Sequence, residues 1–377
     1  MKRAISMLMA VTLAGSVVSC GNGKKNDKNA NSGKSVGIAM PTSTLDRWNS
    51  DGKFLQYRFE SAGFDVDLRY SENDATRQNN DILAMINKGV DLLLIAAVDG
   101  TKLSGTLETA KEKGIPVVAY DRLIMDTHAL TYYVSFDNRA VGRLQGEFVR
   151  DQLALDSGSD SYNIEFVAGD PADNNAKYFY DGAYDVLEPY IESGRLVIPS
   201  GKDSFDQVAT PEWSMDKAKA NMKDTLAKYY SNGTQLDVVL CANDSTALGA
   251  AQALNIVYNG KNYPIITGQD GDVANLKNIV DGKQAMTVYK NVRDEASVTY
   301  EVCKMILDGE IPTSKLVEKL PIDVSFDSES YNNGVKYVQS YLLLPSVITK
   351  DNMQLLVDCG LYEWDSAHKY LELTKTS

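Results

Sequence analysis

The chain has 377 residues, 44% of them hydrophobic and 24% charged, which suffices for a buried core and, at this length, for two domains. A formal net charge of −13 argues against nucleic acid or an anionic membrane surface as the main partner, because both would repel it. The two histidines, His128 and His368, lie far apart, and Cys20, Cys241, Cys303 and Cys359 show neither zinc-ligand spacing nor a disulfide framework, so no metal and no cofactor is expected.

Residues 1–19 have the layout of a secretory signal peptide: a basic Met1-Lys2-Arg3, a mostly apolar run over 4–13, and Val17-Val18-Ser19 before Cys20. The apolar run is too short to span a bilayer. VVSC resembles the lipobox of bacterial lipoproteins, which implies lipidation at Cys20 and an extracytoplasmic protein held at the cell membrane, on the cell surface or in the periplasm. Residues 20–35, CGNGKKNDKNANSGKS, read as a flexible linker.

Alternation starts at residue 36. Strands are expected at 36–40, 65–70, 91–98 and 115–120, with helices at 46–62, 74–88 and 101–113 between them, the last two ended by Gly89 and Gly114. A further strand at 132–136 precedes a restart of the rhythm. Helices follow at 139–153, about 176–192, 214–230 and 245–257, and strands at 163–168, 195–199, 237–241 and 264–267. Buried Cys241 and Cys303 suit free thiols. The tail is less regular: a strand at 284–289, a helix at 292–307, a loop-like stretch and an apolar run at 341–348. An α/β chain with this rhythm predicts parallel sheets flanked by helices, split into two similar Rossmann-like lobes with a ligand cleft between them. The changeover falls near 137–140. The first lobe is assigned 36–138 plus about 291–327, and the second 139–290 plus about 328–377, with several crossovers.

The strand tips carry the chemistry. Residues 115–120 end in Asp121 and Arg122, and 132–136 in Asp137 and Asn138. Arg47 and Trp48 follow the first strand, GDPADNN with Asp173 and Asn175 follows 163–168, and Trp213 precedes a helix. Asn243 and Asp244 follow 237–241, Asp270 follows 264–267, and Lys290 follows 284–289. In an open α/β sheet such tips face the ligand crevice. Carboxylates accept from hydroxyls, Arg and Lys donate, Asn does both, and a tryptophan face covers the apolar side of a sugar ring. That mixture suits a neutral polyhydroxylated ligand. Each residue alone also has an ordinary reading: Asp121 and Asp270 as turn acids, Asn243-Asp244 as a helix cap, Trp48 and Trp213 as core aromatics, Lys290 as a solvated charge. No GxxxxGK[ST], GxSxG or HExxH motif is present, and no nucleophile–base pair stands out, so no catalytic residue and no enzyme activity is expected.

Taken together, AMPTSTLDRW (39–48), AYDRLI (119–124), SFDNRAVG (135–142), GDPADNNAKYFYDGA (169–183), NDSTALGAAQAL (243–254), GQD (268–270), TVYK (287–290) and the stretch 332–352 resemble the periplasmic-type sugar-binding proteins of ABC importers. The likeness is to the xylose-binding and multiple-aldose-binding branch of the ribose/galactose-binding class, the type I periplasmic binding proteins, and covers about 36–364. It implies sugar contacts from Arg47, Asp121, Arg122, Asn138, Asn175, Trp213, Asn243, Asp270 and Lys290. Asp173 stands where related galactose binders have His. Phe179 stands where some relatives place an arginine, a departure that disfavours ribose. The resemblance further implies a monomer that closes its lobes over a monosaccharide and docks on an ABC permease. A sugar-sensing receptor that presents the closed form to a signalling or chemotaxis partner is the alternative.

Overall fold

The computed structural model describes residues 33–374. The signal segment, Cys20 and most of the linker lie outside the described residues. The strands in chain order are β1 (Ser35–Met40), β2 (Asp65–Tyr70), β3 (Leu92–Ile95), β4 (Val117–Tyr120), β5 (Leu130–Phe136), β6 (Tyr162–Val167), β7 (Leu196–Val197), β8 (Val238–Cys241), β9 (Ile265–Ile266), β10 (Thr287–Tyr289), β11 (Val324–Asp327), β12 (Ser340–Leu343) and β13 (Ser346–Ile348), with a short hairpin at Tyr362–Trp364 and Leu371–Leu373. The first lobe holds a seven-stranded sheet in the order β11-β12-β5-β4-β3-β1-β2, parallel except for the edge strand β11. The second lobe holds β7-β6-β8-β9, all parallel. A bridge from Gln269 to Val288 continues it to the β10-β13 pair.

The unbroken apolar run of β3 is explained by burial on both faces. Leu92, Leu94 and Ala96 enter one core layer, Leu93, Ile95 and Ala97 the other. In β8, Val239 and Cys241 face one layer and Val238 and Leu240 the opposite one. Burial pushes the Cys241 and Cys303 thiols well up, which keeps both unreactive. Helices Asn138–Gln152 and Asn174–Glu192 of the second lobe pack closely; a Cβ at Gly142 would stand 1.9 Å from the Phe179 carbonyl oxygen, so only glycine permits this approach.

Three segments cross between the lobes: after Phe136, between Tyr289 and Val292, and between Leu343 and Ser346. The last corrects the expected domain limits, which gave about 328–377 to the second lobe. β12 runs parallel to β5 inside the first sheet, and Tyr331 and Val338 lie in the first lobe's core. The apolar run 341–348 is therefore two strands in two lobes. Leu344-Pro345 divides it, because proline has no N–H to continue the ladder. The edge strand β11 lies in the stretch read as loop-like, and a helix at Val273–Val280 fills a stretch to which the sequence reading assigned no element.

Candidate functional site

The C-terminal tips of both sheets meet at the junction of the lobes. Arg47 and Trp48 sit in the first turn of helix Asp46–Ser61, just beyond β1. Asp121 follows β4 with φ +58°, a left-handed conformation that costs an L-residue about 1–2 kcal/mol. Its neighbours hold it there. The Asp121 N–H donates to Val134 O at 2.8 Å. Its carbonyl accepts from the Tyr133 hydroxyl at 2.7 Å, the Ser135 hydroxyl at 2.9 Å and the Asn175 amide at 2.7 Å. Asp270 is likewise bent, at φ +105°, with its N–H donating to Val288 O at 2.9 Å.

Charged side chains face each other across the lobes. Arg47 Nη2 donates to Asp121 and lies 3.4 Å from Glu295 Oε2. Its Nη1 lies 3.8 Å from Asp270 and its Nε 3.7 Å from Asp51. Lys290 Nζ sits 3.4 Å from Asp270 and 3.8 Å from Asp121, with its charge over the Phe179 ring at 5.6 Å. Asp51, Asp121, Lys290 and Glu295 are buried. Carboxylates outnumber cations in this cluster, and the acids share the consequence unequally. Burial raises Asp121, but Arg47, Lys290 and Arg122 outweigh it and hold the carboxyl down at about 2. Burial dominates for Asp51, which rises to about 7, and for Glu295, which is also pushed up, by burial and then by the charge of Asp121. Burial also works against the Arg47 charge, but Asp121, Asp51, Glu295 and Asp270 together raise its pKa.

Asp51 gives a pH signature. Its folded pKa lies above the ordinary aspartate value, so between about pH 4 and 7 the unfolded chain sheds a proton that the folded chain keeps. Stability is favoured below that window and lost as pH rises through it, by at most about 1.4 kcal/mol per pH unit for one group. Asp51→Asn cannot ionise and keeps an acceptor for the Tyr120 hydroxyl, 3.0 Å away. Urea unfolding should show this variant gaining on wild type from pH 4 to 7 and holding a constant margin above; parallel curves across the window would contradict the assignment.

A second set adjoins the first. Arg122 Nε lies 3.1 Å from Asp173 Oδ2, and its Nη1 donates to Ala97 O at 3.0 Å. The Trp213 indole N–H donates to Asp173 at 3.3 Å. The ring rests against Gly169, where a Cβ would come within 1.9 Å. Trp48 is buried with guanidinium groups near its ring, Arg47 at 4.6 Å and Arg122 at 5.2 Å, so it joins the two sets.

Contacts link ten of the eleven sequence-predicted positions at this junction, in unequal roles, and Asn243 is placed by its helix cap alone. Asp173 and Asn243 both cap helices: Asp173 accepts from Asn175 N at 3.0 Å and Asn243 from Thr246 N at 3.0 Å. Asn175 serves the lobe contact, donating to Asp121 O and accepting from the Tyr133 hydroxyl at 3.2 Å. Asn138 donates to the same hydroxyl at 2.9 Å. Arg47 Nε, Arg122 Nε, Asn138 Oδ1 and Asp270 Oδ1 are buried and make no hydrogen bond within the protein, although Arg122 Nε and Asp270 Oδ1 are ion-paired with Asp173 and Lys290. Sequence reasoning missed Asp51 and Glu295. Asp51 was accessible, being four residues from Arg47 on one helix face. Glu295 is 248 residues away from Arg47, and no local pattern marks it.

Residues 36–311 match the family model described as periplasmic binding protein domain. The multiple sugar-binding periplasmic receptor ChvE of Rhizobium radiobacter is 41% identical over 334 residues, covering 88% of this chain and 91% of that protein. The D-xylose-binding periplasmic protein of Escherichia coli (strain K12) is 35% identical over 320 residues, 85% of this chain and 88% of that one. Among solved structures, an ABC transporter solute binding protein from Clostridium phytofermentans with bound β-D-glucose aligns with a TM-score of 0.82 at 45% identity, covering 88% of this chain and 99% of that one.

Proposed function

The chain belongs to the periplasmic binding protein domain family, and from that premise we propose that it is the lipid-anchored substrate-binding protein of an ABC monosaccharide importer, taking a neutral aldopyranose between its lobes. The observation that carries the reading is the facing of Arg47, Asp121 and Arg122 on one lobe with Asp173, Asp270 and Lys290 on the other, at 3.1–3.8 Å for Arg122–Asp173, Lys290–Asp121 and Arg47–Asp270. These groups pair with one another and with hydroxyls by the same geometry. Asp121, held ionised, is an acceptor for two sugar hydroxyls, while Arg47, Arg122 and Lys290 donate. Trp213 offers the aromatic face. The glucose-bound and xylose-binding relatives support an aldose of this size. A sugar that touches both lobes stabilises the closed arrangement, and a permease that docks only on that arrangement is delivered loaded protein.

Calorimetric titration of residues 24–377 with xylose, glucose, galactose and arabinose tests the reading, with small-angle scattering on the same samples. Saturable binding of at least one aldose with a smaller radius of gyration is expected. No binding across the panel, or turnover of a sugar, would sink it.

The anchor has its own test. Cys20→Ala removes the acceptor of the lipid in the lipobox-like VVSC. Loss of membrane association or faulty processing is expected on fractionation of cells. Normal processing with full membrane retention would remove the anchor from the proposal.

A further inference from the structure

We infer that Glu295 is a positioning residue for Arg47, setting the guanidinium in the cleft from the side of the crossing helix. The inference rests on reading the cleft as a sugar site. Glu295 lies in the first turn of helix Val292–Leu307, directly after the segment that crosses from Lys290. Its side chain is fully buried. Oε2 accepts from Arg47 Nη2 at 3.4 Å, the same nitrogen that donates to Asp121, and Oε1 makes no hydrogen bond within the protein. Arg47 needs such support. It sits in a first helical turn whose N-cap, Leu45, makes no side-chain cap, and helix ends fray. The guanidinium is fixed by what surrounds it: Glu295 and Asp121 at one nitrogen, Asp51 beside Nε, Asp270 beyond Nη1, and the Trp48 ring beneath.

Burial and the neighbouring Asp121 charge push the Glu295 carboxyl up, which favours its protonated form. In that form it accepts a hydrogen bond from Arg47 and leaves the cation's charge for Asp121 and for ligand oxygens.

The test is a double-mutant cycle read as sugar affinity by calorimetry at neutral pH. Glu295→Met keeps length and removes the acceptor, Glu295→Gln keeps an acceptor, and Arg47→Ala removes the partner. Glu295→Met is expected to weaken binding by about tenfold, with Glu295→Gln close to wild type. On the Arg47→Ala background, Glu295→Met should cost no more than about a further twofold. Glu295→Asp, whose carboxyl is drawn back by one methylene, carries the same expected loss and serves if the methionine variant does not fold. Wild-type affinity in Glu295→Met or Glu295→Asp, or an equal loss with and without Arg47, would overturn the inference. If wild type binds no aldose, the sugar-site reading itself falls. If wild type binds, Arg47→Ala weakens it and Glu295→Met does not, only the positioning role falls.

Discussion

Asp121→Ala is expected to lower sugar affinity by at least roughly tenfold to a hundredfold, since each hydrogen bond to a charged group contributes about 1.5–3 kcal/mol and the proposed site gives this carboxylate two hydroxyls. The loss should come with little change in stability. The three hydrogen bonds on the Asp121 carbonyl belong to the backbone and survive the substitution. Removing the carboxylate strands part of the charge on Arg47 and Lys290, but Asp51 and Glu295 stand beside them as acids that burial and the Asp121 charge push up. With Asp121 gone, that repulsion is gone too, which favours their ionised forms. The remaining penalty is the left-handed backbone, φ +58°, which alanine tolerates less well than aspartate. Asp121→Asn separates the two effects, because asparagine tolerates that conformation and lacks the charge. Asp181, paired only with Lys177 on an exposed helix face, is the control. Equal affinity of Asp121→Ala and wild type, with both folded, would remove Asp121 from the site.

How much of this was legible in the sequence depends on how local the signal was. β3 and β8 announce themselves as apolar runs, because burial on both faces leaves no polar position. Asp121-Arg122 and Asp270 are legible because a charge directly after such a run must sit at a strand tip. What the sequence could not show is which tips touch. Arg47 meets Asp270 and Glu295 only through the crossings, and contacts of that separation leave no periodicity behind. The 341–348 run was misassigned for a related reason. Hydrophobicity reports burial but not which core does the burying, and only the Pro345 interruption hinted that two sheets share the run. Asn243-Asp244 was readable as a helix cap, and Asn243 is one. The larger role of Asp244 depends on partners 27 to 43 residues away and had no local mark.

Asp244→Ala is therefore expected to produce the largest loss of stability of the substitutions considered, together with a loss of affinity. The side chain is fully buried and all its acceptor positions are used. Oδ1 accepts from Gln284 Nε2 at 2.9 Å and Thr287 Oγ1 at 3.0 Å, and Oδ2 accepts from Gly271 N at 3.0 Å and Asp272 N at 2.8 Å. Truncation leaves buried donors without partners, and each such group costs about 1–3 kcal/mol, so a total of about 3 kcal/mol or more follows even without full additivity. Asp244→Asn should not rescue it, because an amide nitrogen would face donors where an acceptor is required. The coupling to binding is geometric. Gly271 and Asp272 directly follow Asp270, and Thr287 opens the strand that ends before Lys290, so Asp244 pins both loops that present the second lobe's charges. Unpinned, Asp270 has less to hold it at φ +105°. Sugar that binds the native arrangement stabilises wild type more than the variant, so the stability gap measured by urea unfolding should widen when saturating sugar is added. A gap that stays constant with sugar, alongside wild-type affinity by calorimetry, would mean that Asp244 stabilises the lobe without shaping the site.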